Sequence, residues 1–489
     1  MENDPKARQR LTKNLFSELA RQQIVYAVKG THEELKIWCE AQSRKDLDVW
    51  IPSSSWTPLL HILKDLAAIP VYSWTPPGQD SPNAAIFLFL DNNGEPIGSI
   101  DFSLGDLRAG HLTIARESLI RPYLKFVNDT SVFFSTAFLL DFYIRRVLRG
   151  KRFTRSHVGR IQQEWKAMTK DDRNQFKAIV GNILSGKAEL DVLGLFHQKN
   201  MDSHNISTFD IRLNAYFLLF KRDKQSAAKV LWNRIHRKQA PRDRSVHPAG
   251  AKPKPVLIAI VGTDGTGKST LVSGLSQTLN YAKLPARAAY FGRVRGGIFG
   301  NNLVHSAAAK VFALRSGSKP DKQDEYDTSL PKWSKWLASW IYVFDYAVRH
   351  AYFTAYRLVS GKSMICDRYS YDLYIMPGAS RLAAKTINLI APSPTILCFL
   401  DIPQSTILAR SDENAPKEII RQQTILADHF TSRLSPGVSY IRITRPNATV
   451  KISNALTRLA ILKALRKNID NRQLMDEFSG SIHNELSND

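Results

Sequence analysis

Residues 256–270 read V-L-I-A-I-V-G-T-D-G-T-G-K-S-T, an apolar run set directly against Gly262-x-x-x-x-Gly267-Lys268-Ser269. This is the spelling of a phosphate-binding loop. Glycines let backbone N–H groups close around phosphate oxygens, a lysine at the Lys268 position reaches the β/γ-phosphates, and a hydroxyl at the Ser269 position holds Mg²⁺. The flanks agree with the motif. Val256 to Val261 is the continuous β-rich run that a buried parallel strand needs, and Leu271, Leu275 and Leu279 recur at helical spacing after the loop. The pattern implies ATP and Mg²⁺, with Gly262, Asp264, Gly265, Gly267, Lys268, Ser269 and Thr270 as the nucleotide-binding residues.

Working outward, 489 residues are too many for one ordinary core, and about two or three domains are expected. A hydrophobic content of 43% is globular. No apolar run is long enough to span a bilayer, and the opening Met1-Glu-Asn-Asp-Pro-Lys has no apolar leader core. The three cysteines, Cys39, Cys366 and Cys398, form no metal-type pair. Together these features predict a cytoplasmic protein. The net charge of +24 is concentrated: residues 141–170 hold nine Lys/Arg against Asp141 and Glu164, and residues 221–255 hold eleven against Asp223 and Asp243. Weak, non-specific polyanion binding is one expectation, and a basic NTPase that binds nucleic acid is the reading that would follow from it; a solvated helix face and a basic linker account for the same charge.

The chain divides by pattern into an α/β unit over residues 1–120, a helical block over 121–236, a basic Pro-rich linker over 237–255, an α/β domain over 256–467 and a polar, disordered tail over 468–489. Strands are expected at Ile24–Val28, Leu47–Ile51, Ile86–Leu90 and Ile97–Phe102, the last two joined as a hairpin across Asn93-Gly94. Past the linker, runs at Val256–Val261, Ala288–Phe291, Ser363–Cys366, Thr395–Leu400 and Tyr440–Ile443 alternate with helices around 303–314 and 333–358, from Gln404, and to about Lys467. That order predicts a parallel sheet wrapped by helices.

In such a sheet, ligands gather beyond the carboxyl ends of the strands. Asp367 and Arg368 follow a strand and should therefore face the phosphate loop, Asp367 holding Mg²⁺ with Ser269 and Arg368 neutralising phosphate. Arg410 and Lys417 are further candidate cations, with Ser411 to Lys417 as a lid segment. Asp264 within the loop, the Asp367-Arg368-Tyr369 strand end and Leu400-Asp401-Ile402-Pro403 before a helix reaching Arg410 together resemble the thymidylate kinase family over residues 256–467. The resemblance implies a P-loop kinase fold, with Asp264 facing the sugar of an acceptor nucleotide, Arg368 facing its phosphate, and dTMP as the acceptor. Two departures leave the acceptor open. The helix before the Asp367 strand reads Phe344-Asp345-Tyr346 with Arg349 one turn later, and the strand after the loop helix runs into Arg293 with no carboxylate. Arg293 favours a phosphorylated acceptor over a hydroxyl, which would want a general base. The aromatic-rich stretch 333–358 is expected as core or as a homodimer seam; clamping a base or resting on a membrane surface are the alternatives.

Near the N-terminus, Asp46-Leu47-Asp48 begins one strand and Asp101 lies on another. Side chains alternate along a strand, so Asp46 and Asp48 share a face and Asp101 could complete a three-carboxylate Mg²⁺ site. With Gly30-Thr31 upstream, residues 20–105 resemble the nucleotidyltransferase superfamily, often followed by a helical domain. A nucleotidyltransferase acting through Asp46, Asp48 and Asp101, with the P-loop domain accessory, is the runner-up reading.

Overall fold

The computed structural model describes residues 5–194 apart from breaks at 30–31, 41–45, 76–81, 92–95, 110–111, 128–129, 150–152 and 154, a few positions between 196 and 218, and residues 254–488 apart from 283, 293–331, 377, 410–415, 433–436, 445–448, 467–468 and 470–471. Two compact units result. One covers Met1–Phe89, Pro96–Gly250 and Asn468–Leu474, the other Leu90–Glu95, Ala251–Lys467 and Met475–Asp489.

Among the described residues the first unit carries nine strands: β1 (Ala27–Val28), β2 (Leu47–Ile51), β3 (Ile69–Trp74), β4 (Ala84–Leu90), β5 (Pro96–Leu104), β6 (Leu107–Ala109), β7 (Leu112–Ala115), β8 (Leu124–Val127) and β9 (Thr130–Phe133). Seven form one sheet in the order β3-β4-β5-β2-β1-β9-β8, and β6 pairs with β7. The boundary expected at residue 120 does not hold, because β8 and β9 extend the same sheet, with β9 lying parallel to β1. One core cluster runs from Ala27 and Trp50 through Phe138 and Tyr143 to Phe176 and Val192, so the helices after residue 134 pack as part of this unit. The strands β3 and β6–β9 were not expected from the sequence; β6–β9 are only three or four residues long, too short to display a period. The Asn93-Gly94 turn, Gly30-Thr31 and the helix expected near 303–314 lie outside the described residues.

The second unit holds five strands among its described residues, β10 (Leu257–Val261), β11 (Ala286–Tyr290), β12 (Ser363–Asp367), β13 (Ile396–Leu400) and β14 (Ser439–Ile443). Neighbouring strands pair in parallel, in the order β11-β12-β10-β13-β14. The three central strands are buried at every residue, as a sheet covered on both faces requires. One covering pair is the P-loop helix (Lys268–Tyr281) against the helix Thr449–Leu465, where Thr278 and Thr457 hydroxyls meet at 2.7 Å. The helices Lys332–Ser360, Arg381–Ile390 and Pro416–Ser432 join another core cluster with the sheet through Tyr346, Ile387 and Phe430. The tail expected to be disordered instead forms the helix Arg472–Asn488. Its apolar residues Met475, Phe478, Ile482 and Leu486 fall three or four apart and are buried, a sparse stripe that a polar composition conceals.

Candidate active site

The strand order reverses at β10, which lies between β12 and β13, and the carboxyl end of β10 is where the phosphate-loop residues begin. Gly262 is required by space: a Cβ there would stand 2.9 Å from Thr266 Oγ1 and 3.0 Å from Leu400 O. Gly265 and Gly267 are required by conformation, with φ of 83° and 89°. Gly267 caps the helix that starts at Lys268, so the first N–H groups of a 14-residue helix face the loop.

Around that loop the side chains form two linked sets. Lys268, buried, donates from Nζ to Thr263 O at 2.5 Å and lies 3.5 Å from Asp264 Oδ1. Arg368 pairs with Asp264 through one guanidinium nitrogen and with Asp372 Oδ2 at 3.0 Å through another. Burial works against the charge on both cations. It lowers the Lys268 pKa, aided by the neighbouring Arg368, whereas for Arg368 the carboxylates of Asp372 and Asp264 overcome burial and keep the guanidinium firmly charged. Asp264 is held below its ordinary range despite burial, by Lys268 and Arg368. The side chain of Asp264 is 57% exposed while that of Asp372 is 1% exposed, so Asp372 anchors Arg368 from inside and Asp264 meets it from the open side. Arg368 also has a backbone φ of 67°, unusual for a residue with a Cβ, at the turn where β12 ends.

In the second set, the Ser269 hydroxyl donates to Asp367 Oδ2 at 2.7 Å, and Asp367 Oδ1 is buried with no hydrogen-bond partner. A buried carboxylate oxygen without a donor is costly unless a cation or ordered water completes it. The hydroxyl and carboxylate are hard oxygen ligands, so the pair fits Mg²⁺. A cavity of about 560 Å³ opens beside this corner, bounded by Ser269, Ser273, Gln277, Tyr290 and Asp367. From the helix Lys332–Ser360, Asp345 and Arg349 pair with each other, and Arg349 donates to Gly292 O at 3.0 Å. Next to Arg349, His350 packs on Phe291 and Tyr369, and burial with the adjacent guanidinium lowers its pKa to about 4.

The structure thus brings Asp264, Lys268, Ser269, Asp367 and Arg368 together. Arg293, Arg410 and the side chain of Lys417 lie outside the described residues. Sequence reasoning missed Asp372, although its place four residues after Arg368 was a usable signal, and Tyr290, whose tie to the site comes from strand register opposite Asp367.

Comparison with known proteins points the same way. About a third of the chain is thymidylate kinase-like. It is 30% identical over 165 residues to a thymidylate kinase of Xanthomonas euvesicatoria pv. vesicatoria (strain 85-10), covering 32% of this chain and 62% of that protein. The thymidylate kinase of Xanthomonas campestris pv. campestris (strain B100) is 32% identical over 161 residues, covering 32% of this chain and 61% of that protein. The chain therefore spans about three-fifths of the length of the curated relatives it matches. No protein-family profile matches the chain.

The carboxylates of the first unit are arranged otherwise. Asp48 and Asp101 are direct partners across β2 and β5. Asp46, however, accepts from Ser99, and among the described residues no three His, Cys, Asp or Glu side chains form a group able to hold a metal ion. A lysine that the sequence reading overlooked explains the difference. Lys29 is buried, with Nζ 3.1 Å from Asp141 Oδ1 and 2.9 Å from Ser103 Oγ, and its charge acts on Asp48 and Asp101 as well. Asp141, on a π-helical turn at Leu140–Ile144, also takes Arg145 Nη1 at 2.7 Å. Burial and the neighbouring Asp48 raise the Asp101 pKa to about 7.

Proposed function

We propose that the second unit is an ATP- and Mg²⁺-dependent phosphotransferase of thymidylate kinase type, which moves the ATP γ-phosphate to a phosphorylated acceptor, a nucleoside monophosphate such as dTMP. The observation that carries this reading is Arg368, a buried and firmly charged guanidinium held between Asp264 and Asp372 beside the phosphate loop. Phosphoryl transfer is limited by positioning and by crowding of negative charge, so fixed cations are the parts it needs. Lys268 serves the β/γ-phosphates, exchanging its contact with Thr263 O for phosphate oxygens. Arg368 takes the acceptor phosphate, and Asp372 holds its guanidinium in place. Ser269 and Asp367 would hold Mg²⁺, which when bound neutralises charge on the phosphates.

The electrostatics also favour a phosphorylated acceptor over a neutral alcohol. Removing a proton from a hydroxyl calls for a carboxylate poised as a base, but Asp264 is held ionised by two cations and is a weak one. A phosphate acceptor is already a nucleophile and gains from the same cations. The thymidylate kinase relatives support a nucleotide as that acceptor. Nucleotidyl transfer at Asp46, Asp48 and Asp101 has less support, because Lys29 supplies the positive charge that a metal would bring there.

The test is an acceptor panel with γ-labelled ATP: dTMP, other nucleoside monophosphates, sugar phosphates and unphosphorylated nucleosides. Label should appear on a monophosphate and fall by about 100-fold or more in Arg368→Ala. Transfer only to unphosphorylated acceptors, undiminished in that variant, would overturn the reading.

A further inference from the structure

Strand β11 ends at Tyr290, which lies in register with Asp367 of β12. Paired positions in a sheet send their side chains to the same face, so the half-buried Tyr290 stands on the side where Asp367 meets Ser269. Both residues bound the cavity beside that corner. Two residues on, the chain reaches the buried Gly292, whose carbonyl accepts from Arg349 Nη1 at 3.0 Å. The tyrosine ring folds back over this glycine: a Cβ there would stand 2.6 Å from Tyr290 Cε1 and closer still to Cζ and the hydroxyl oxygen. Gly292 is not in the left-handed region, so what its bare Cα provides is room for the ring.

The hydroxyl is thus placed by packing, and among the described residues no hydrogen bond engages it. Its surroundings are the charges of the candidate active site. Burial raises its pKa, and of the charges that act on it Arg368 comes first, followed by Asp372, Asp264 and Asp367. A phenol in that position stays protonated at neutral pH and offers a donor without a charge. Arg368 alone leaves a phosphate incompletely held. Asp372 takes one of its guanidinium nitrogens and Asp264 another, and the group is planar, whereas a phosphate monoester presents three acceptor oxygens that do not lie in one plane with it. A neutral donor from a different strand complements the guanidinium without adding a charge that Asp264 and Asp372 would have to balance.

We infer that the Tyr290 hydroxyl is a further acceptor-binding group, donating to the phosphate that Arg368 holds, and that Gly292 is the residue that lets the ring lie there. The inference rests on the kinase reading above and adds to it a side chain from β11, outside the phosphate loop and the Asp367-Arg368 turn. The probes are dTMP, or the nucleoside monophosphate that the acceptor panel selects, and the matching nucleoside, which differ only in the phosphate. Tyr290→Phe keeps the ring and removes the hydroxyl. It should lower kcat/KM for the monophosphate by roughly ten-fold or more, the loss of a hydrogen bond to a charged group, with KM for ATP within about two-fold and the melting curve unchanged. In titrations without turnover this variant should bind the monophosphate more weakly by a similar factor and the nucleoside as the unaltered chain does. Gly292→Ala should displace the ring and reproduce the loss, and joining it to Tyr290→Phe should cost no more than the larger single effect, since both act on one contact. A Tyr290→Phe loss that falls equally on monophosphate and nucleoside would mark a change of packing and overturn the inference. Undiminished monophosphate turnover in Tyr290→Phe would overturn it while the kinase reading stands; an unaltered chain that labels no phosphorylated acceptor would overturn both.

Discussion

Each unit of this protein gathers lysine, arginine and aspartate into one cluster, and the two clusters are built differently. In the first, the Lys29 ammonium is enclosed among Asp141, Ser103 and the Asp48–Asp101 pair, and its partners are all protein groups. In the second, Arg368 is anchored from behind by Asp372, but the cluster opens forward through the half-exposed Asp264, the N-terminus of the P-loop helix and an unpartnered oxygen on Asp367. The number of charges barely differs. What differs is the opening: the second cluster leaves a buried Asp367 oxygen without a hydrogen-bond partner and Asp264 half exposed, whereas Lys29 in the first is enclosed by protein groups.

The sharpest way to break this comparison is to remove the principal lysine from each cluster. Lys268→Ala should lower γ-phosphate transfer by at least ~10³-fold, with thermal unfolding little changed, because its partners are the loop carbonyl of Thr263 and the exposed Asp264. Initial rates and a melting curve on the same preparation check both halves of that statement. Lys29→Ala should do the reverse, destabilising the first unit by about 3 kcal/mol or more through unpaired buried carboxylates, while specific γ-transfer by the folded protein stays within about two-fold. Denaturant titration beside an activity assay would show it; a stable but inactive Lys29→Ala protein would mean the first unit holds the chemistry.

A smaller effect separates the units by pH. His350 in the second unit is held neutral, with a pKa near 4 against an ordinary value of 6.5. The unfolded chain therefore binds a proton that the folded chain refuses between those values. Stability should fall as pH drops from about 6.5 towards 4, by ~3 kcal/mol at most. His350→Phe should flatten that slope. In the first unit the sign reverses for Asp101: its pKa of about 7 means that the folded state keeps a proton the unfolded state gives up, so its contribution is present at low pH and lost as pH rises from about 4 to 7. Asp101→Asn should remove this term, leaving γ-transfer nearly unchanged.

The second unit was largely legible in the sequence because its strands are buried on both faces and so read as unbroken apolar runs, and because glycine and phosphate chemistry leave fixed spacings. The first was legible only in part. Leu47–Ile51 was found to the residue, whereas β6–β9 were too short to show a period and led to a domain boundary that the sheet crosses. Alternation put Asp46 and Asp48 on one face, with Asp101 offered from a neighbouring strand, but no sequence rule announces that Lys29, just past the end of β1, would occupy the space beside Asp48 and Asp101. Asp372 was missed although its place four residues after Arg368 was a usable signal. The sparse stripe of the helix Arg472–Asn488 was hidden by polar neighbours.

The central claim, that group transfer belongs to the second unit and moves the γ-phosphate, is tested most directly by following α-labelled and γ-labelled ATP separately, with dTMP as acceptor, in three proteins: the unaltered chain, Lys268→Ala, and the double variant Asp48→Asn/Asp101→Asn. The account predicts γ-label alone in the acceptor, lost in Lys268→Ala and retained within about two-fold in the double variant. Alpha-label in the product, abolished by the double variant and indifferent to Lys268→Ala, would contradict it.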